Sequence, residues 1–305
     1  MKEFIYHVLK GIGMGAANVI PGVSGGTIAL LTGIFERLIN AIKSFNLTAA
    51  RLLFTGKIKA FIKHTDLEFV IALLVGIAIA IFTLARLLEY LFENYPVLVW
   101  AYFFGLIVAS VYFVGKQITK WNFSVILFGL IGVAIAASIT ILTPARENDA
   151  TWYVLLCGIV ATCSMILPGL SGSFILILMG NYELVWIDSV NNLDMAILTP
   201  LVIGAVAGLI AFSYILSWVF KRFKNQTLAL LTGFILGSLA ILWPWKETVT
   251  TFIDRHGELK PLEQKLILPD PGNPGDHLWL AILMMIVGFL SLWILEISAS
   301  KRSKE

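Results

Sequence analysis

Two long uncharged stretches are each interrupted by the same kind of turn, and that interruption limits what the chain can become. Gly11–Phe35 is broken at Pro21-Gly22-Val23-Ser24-Gly25-Gly26, and Ala150–Tyr182 at Pro168-Gly169-Leu170-Ser171-Gly172. Proline removes a backbone donor and clashes with the preceding turn, and clustered glycines loosen the backbone after it. Each stretch therefore reads as two half-helices joined by a non-helical turn. The surroundings are those of a membrane protein: 58% of the residues are AVILMFWYC, only 13% are charged, and mean hydropathy is +0.88. A soluble domain carries about 25% charged residues. Non-helical backbone at membrane depth survives only where protein or water satisfies it, which makes the two turns candidate functional elements.

Six further stretches suit single crossings, each near the ~20 apolar residues that a bilayer core demands. They are Phe69–Leu91, Val97–Gly115, Phe123–Leu142, Ile197–Phe220, Thr227–Trp243 and Leu278–Ile297. Loop charge orients them, because cytoplasmic loops are rich in Lys and Arg. Arg37, Lys43, Arg51, Lys57, Lys59 and Lys63 put the loop after the first broken stretch inside, and Lys2 and Lys10 do the same for the amino terminus. With both flanks inside, the first broken stretch is expected to enter and return, a re-entrant hairpin over 4–42. Glu93–Pro96 is outside, Lys116 and Lys120 inside, and the loop with Arg146, Glu147 and Asp149 outside. Glu183–Asp194 has no cation and is outside as well, so the second hairpin, 150–187, enters from the outer face. Lys221, Arg222 and Lys224 are inside, 244–277 outside, and Lys301, Arg302 and Lys304 inside. Both termini are expected in the cytoplasm. Met1–Lys10 lacks a short apolar core with a cleavage site, and no removable signal peptide is expected.

The two halves repeat. Pro21 and Pro168 lie 147 residues apart, and at that offset Gly22 meets Gly169, Ser24 meets Ser171, Gly25 meets Gly172, Gly33 meets Gly180, and Glu36 meets Glu183. At an offset of 128, Gly76 meets Gly204, Leu88 meets Leu216, Phe92 meets Phe220, and Gly105 meets Gly233. The predicted fold is an all-α, polytopic inverted-topology repeat, with halves at 1–145 and 146–305. Each half is one hairpin plus three crossings. The odd number of crossings inverts one half against the other, a transporter architecture.

The free N–H groups that open a half-helix, with the positive end of its dipole, suit a phosphate or carboxylate. Ser24 and Thr27 add hydroxyls to the first turn, Gly25 and Gly26 let an anion approach the backbone, and Ser171, Gly172 and Ser173 repeat the set. A plainer reading is that these glycines only let helices pack closely. Glu36, with Arg37 beside it, and Glu183 lie toward opposite faces, as symmetric gating or proton-coupling groups or as simple interfacial charges. Counting 1.5 Å per residue from Thr27 places Glu36 roughly 14 Å along the same half-helix. Arg86 either pairs with Glu89 or captures an anionic head group. Residues 49–63 mix four cations with Leu52, Leu53, Ile58, Phe61 and Ile62, the pattern of a basic helix on the anionic inner leaflet. The basic loop spans 43–68. The outer loop 244–277 ends in turn chemistry, Pro269–Gly275, and Trp243, Trp245 and Trp279 suit an outer aromatic belt.

A net charge of +3, with the cations in loops, gives no nucleic-acid surface. Cys157 and Cys163 have no partner at metal-ligand spacing, so neither a metal nor another cofactor is expected.

Gly15–Thr27, GAANVIPGVSGGT, and Ile166–Phe174, ILPGLSGSF, resemble the paired signatures of the bacterial polyprenyl-phosphate transporters, a family first catalogued as a domain of unknown function. The resemblance covers nearly the whole chain. It implies a plasma-membrane translocase that returns undecaprenyl phosphate from the outer to the inner leaflet for cell-wall synthesis. The expected head-group set is Asn18, Ser24, Gly25, Gly26, Thr27, Ser171, Gly172, Ser173 and Arg86. The driving ion, proton or sodium, and the oligomeric state are left open. The sequence is also similar to the undecaprenyl-pyrophosphate phosphatases, which carry Glu, His and Arg where this chain has Asn18, Thr27 and Gly172. No catalytic residue is expected, because none of these can act as a tuned base or clamp. Two alternatives stay open: an undecaprenyl-pyrophosphate phosphatase-like enzyme, and a secondary transporter of small organic anions, which has the same architecture.

Overall fold

The computed structural model describes residues 2–19, 24–139, 147–170, 172–182, 184–189, 192–253, 259–270 and 272–302. Pro21, Gly22, Ser171 and Glu183 lie outside the described residues, as do the side chains of Arg86 and Ser173.

The chain is helical nearly throughout: α1 (Lys2–Val19), α2 (Gly25–Leu31), α3 (Phe35–Ser44), α4 (Leu47–Phe54), α5 (Ile58–Thr65), α6 (Leu67–Asn94), α7 (Pro96–Gly115) and α8 (Phe123–Ile139). After the break come α9 (Thr151–Ile166), α10 (Gly172–Leu178), a π-helical turn Leu184–Ser189, α11 (Met195–Arg222), α12 (Lys224–Gly237), α13 (Leu239–Leu242) and α14 (Leu278–Arg302). Three helical segments among the described residues are long and apolar enough to cross a membrane, and up to five if each bent pair counts as one span. The chain is a multi-pass membrane protein built from α-helices.

Several expectations need correction. The half-helix expected to run through Glu36 is two helices, and α2 and α3 are bent by 117°. The cause is a glycine cap at Gly33, which has φ +69. Gly33 N–H donates to Leu30 O at 3.2 Å and Ile34 N–H to Ala29 O at 2.9 Å, closing the last turn of α2. The linear placement of Glu36 from Thr27 therefore fails. The same cap ends α10: Gly180 has φ +73, Gly180 N–H donates to Ile177 O, and Asn181 N–H to Leu176 O. All four positions are 147 residues on from their counterparts. The basic helix expected over 49–63 is two short helices, α4 and α5, separated at Thr55-Gly56. The segment 244–277 holds more than turns: β1 (Lys246–Ile253) and β2 (Leu259–Leu266) form an antiparallel ribbon with an irregular register near Thr250. The Thr-Val-Thr-Thr run favours strand because β-branched side chains suit the pleat.

The chain divides into two compact units, Met1–Leu88 with Phe113–Ser238, and Glu89–Tyr112 with Leu239–Glu305. In the first unit, helices meet at glycines. A Cβ on Gly11 would fall on Leu73 O, and one on Gly76 on Val8 O, so α1 and α6 touch backbone to backbone. Gly158 and Leu201 O, with Gly204 and Leu155 O, make the same contact between α9 and α11. The offsets are again 147 and 128. Gly132 against Leu230 O joins α8 to α12 in the same manner.

The second unit is built on Ala101, Trp245 and Ala281. Trp245 is buried and donates through Nε1 to Asp276 O, and Trp243 Nε1 donates to Ile267 O. Of the three tryptophans expected in an aromatic belt, Trp245 is instead core, whereas Trp279 is 77% exposed. Gly105 against Met285 O and Gly288 against Tyr102 O join α7 to α14.

Candidate functional site

The two broken turns meet inside the first unit. Ser24 is the N-cap of α2, and its Oγ accepts from Gly26 N–H at 3.1 Å while donating to Met165 O at 3.2 Å. Thr27 Oγ1 accepts from Gly169 N–H at 3.2 Å. Ser24 is 3% exposed and Thr27 is fully buried. Gly26 permits the approach, since a Cβ there would stand 2.5 Å from Ile166 O. Gly169 has φ +81 and lies against Phe234 O, which ties the second turn to α12. Gly172 is packed on Met165 and on Ala161 O.

The first turn of α2 is fully satisfied by the protein. Asn18 Oδ1 accepts from Gly25 N–H at 2.8 Å, Ser24 Oγ takes Gly26 N–H, and Ser24 O takes Thr27 N–H at 2.9 Å. Asn18 thus bridges the end of α1 to the start of α2. In this arrangement the turn holds itself and the opposing turn.

Carboxylate and cation side chains gather at the first turn of α3. Glu36 Oε1 is 3.1 Å from Lys224 Nζ, both about half exposed. Its sequence neighbour Arg37 points elsewhere: Nε and NH2 bond the two oxygens of Asp66 at 2.6 and 3.0 Å, and NH1 is 3.0 Å from His7 Nε2. The guanidinium also lies 4.3 Å from the Phe69 ring centroid. One side chain thereby joins α1, α3 and the α5–α6 corner. A small, open cleft lies beside Glu36, lined by Phe35, Asn40, Ser217, Phe220 and Lys221 among others. Ser217 Oγ donates to Asn40 Oδ1 at 3.1 Å.

Sequence reasoning missed Asn40, Ser217 and Lys224, because their partners lie some 180 residues away. Asn40 had one local signal, its place one helical turn after Glu36. It also missed the buried Asn181, whose amide bonds Asn148 N–H and Asn148 O at 3.0 and 2.7 Å and holds the backbone just before α9.

The sequence matches the undecaprenyl phosphate translocase-like family over residues 14–260, a span that includes both turns. The chain belongs to that family. A protein of Vibrio cholerae called a polyprenyl-phosphate transporter is 39% identical over 293 residues, 95% of each chain. A Staphylococcus aureus protein of the same name is 30% identical over 262 residues, 80% of this chain and 88% of that one. No solved structure matches the chain. For this translocase-like chain the matched region ends before α14.

Proposed function

We propose that this protein carries polyprenyl phosphate across the bacterial plasma membrane, returning undecaprenyl phosphate from the outer to the inner leaflet. The observation that carries the reading is the meeting of the two broken turns, Ser24 on Met165 and Thr27 on Gly169, in a chain whose relatives are named for this cargo. The halves 1–145 and 146–305 form an inverted repeat, each with a re-entrant hairpin. The matching caps at Gly33 and Gly180 and the matching crossings at Gly11–Gly76 and Gly158–Gly204 support it.

The bound turns are the closed arrangement. A phosphate head parts them, taking hydrogen bonds from Ser24, Thr27 and the N–H groups of Gly25 and Gly26, then from Ser171, Gly172 and Ser173 as the other face opens. Asn18 swings aside to release Gly25 N–H. Arg86 assists capture at the outer side. The prenyl tail stays in the lipid, because a 33.6 kDa chain has no room to bury it. Glu36 and Glu183 couple the movement to a proton or sodium gradient, with Arg37 bracing the cytoplasmic side. Both termini are cytoplasmic. No step is chemical: Asn18, Thr27 and Gly172 supply neither a base that titrates near neutrality nor a cation for a transferring phosphoryl group.

Binding decides it. The purified protein should bind a short-chain polyprenyl phosphate and not the corresponding alcohol, and Ser24→Ala with Ser171→Ala should weaken binding about ten- to hundred-fold, the cost of losing hydrogen bonds to a charged group. Equal binding of phosphate and alcohol would overturn the reading. Transport of water-soluble organic phosphates in place of the lipid would favour a small-anion carrier.

A further inference from the structure

We infer that the α4–α5 hairpin is a membrane-docking element that inserts apolar side chains among the anionic headgroups of the cytoplasmic leaflet. It is a built element, not a slack loop. Asn46 caps α4 by accepting from Thr48 N–H and Ala49 N–H, Phe45 and Phe61 meet edge to face at 6.4 Å, and the buried Thr65 ends α5. Asp66 and Arg37 then clamp the hairpin to α3. Ala49 is 3% exposed and faces the protein, while Leu47 is 89% and Phe54 88% exposed. Leu47, Arg51 and Phe54 are spaced by four and three residues and so form one outward stripe. Leu53 and Ile58 continue it around the Gly56 corner, at 46% and 49% exposed.

Charge selects the occupant. Residues 37–65 contain Arg37, Lys43, Arg51, Lys57, Lys59 and Lys63 and not one Asp or Glu. Arg37 is paired with Asp66, and Lys43 lies 4.8 Å over the Tyr214 ring. Arg51, Lys57, Lys59 and Lys63 have no acidic partner among the described residues. Four cations without counter-charge, interleaved with large exposed apolar side chains, match a surface that offers anions above hydrocarbon. A second copy of this chain would present the same four cations and be repelled. The segment is therefore a lipid-charge-dependent support beneath the Arg37 clamp.

The test uses the full chain in single-copy nanodiscs, with Phe54→Cys carrying an environment-sensitive fluorophore in a Cys157→Ala, Cys163→Ala background. Discs of phosphatidylglycerol should give blue-shifted emission that brominated acyl chains quench. Discs of phosphatidylcholine, or the combined Arg51→Gln, Lys57→Gln, Lys59→Gln, Lys63→Gln chain in phosphatidylglycerol, should give emission close to that in water. Helix content of that variant by circular dichroism should equal the parent's, since these four side chains make no tertiary ion pair. Water-like emission in both lipids would overturn the proposal, as would an equal shift in both or a shift seen only with two copies per disc.

Discussion

The hydroxyl oxygen of Thr27 accepts a hydrogen bond from the backbone N–H of Gly169, 142 residues further along the chain. Both groups are buried, so neither has water as a substitute partner. Thr27→Val keeps the shape and leaves that N–H unpaired, at a cost of about 1–3 kcal/mol. The expected outcome is a lower unfolding midpoint for Thr27→Val and near-parental behaviour for Thr27→Ser, read by thermal unfolding in detergent. Equal midpoints for Val and Ser would show that the bond contributes nothing.

Gly26→Ala should be more damaging than a glycine change elsewhere. Its Cβ would sit 2.5 Å from Ile166 O, forcing the turns apart, whereas a Cβ on Gly115 has only Thr232 Cγ2 at 3.8 Å. Overpacking of this kind costs about 1–3 kcal/mol. Gly26→Ala is expected to lower both the unfolding midpoint and lipid transport in liposomes, and Gly115→Ala to leave both unchanged.

The Glu36–Lys224 pair separates structure from coupling. Both partners are more than half exposed, and such pairs are worth about 0–1 kcal/mol. Glu36→Gln should therefore leave the unfolding midpoint nearly unmoved. If Glu36 couples transport to a gradient, the same change should abolish the dependence of liposome transport on the imposed pH difference. Transport by the parent that ignores the gradient altogether would end that role.

Lys246 anchors the β1–β2 ribbon by donating to Ile241 O, with its ammonium 4.2 Å from the Trp100 ring centroid. Burial pulls its pKa down from 10.5 to about 8. Between those values the unfolded chain binds more protons than the folded one, so stability should rise as pH climbs from about 8 toward 10.5. Below 8 both states are protonated and the contribution is flat. Tryptophan emission followed through unfolding at several pH values should show this slope, and Lys246→Met should lack it.

The apolar runs and the Pro-Gly breaks are sufficient to place the long apolar helices within a few residues: the stretch Phe69–Leu91 lies inside α6, which spans Leu67–Asn94. The ends of α2 and α10 are harder to read. Gly33 and Gly180 match as a repeat pair, yet their left-handed φ and the 117° bend after α2 arise only when the closing N–H groups of Ile34 and Asn181 find Ala29 O and Leu176 O. A single glycine inside an apolar run carries no mark that distinguishes a cap from a packing contact. The ribbon β1–β2 is hidden in the sequence because the Pro-Gly-rich tail of that loop gives the stronger local signal.

What the sequence determined alone was local: where hydrocarbon-length helices run, where backbone must break, which segments carry cations, and which positions of the two halves match. Tertiary structure decided which groups face one another. Ser24 and Thr27 were legible as donors and acceptors at a helix start, but not as partners of Met165 and Gly169. Glu36 was legible as a carboxylate beside Arg37, yet it pairs with Lys224 while Arg37 turns to Asp66 and His7. The reason is physical. Periodicity and propensity act over a few residues along the chain, whereas a hydrogen bond between turns separated by 142 residues exists only after glycine-lined helices have closed to backbone contact.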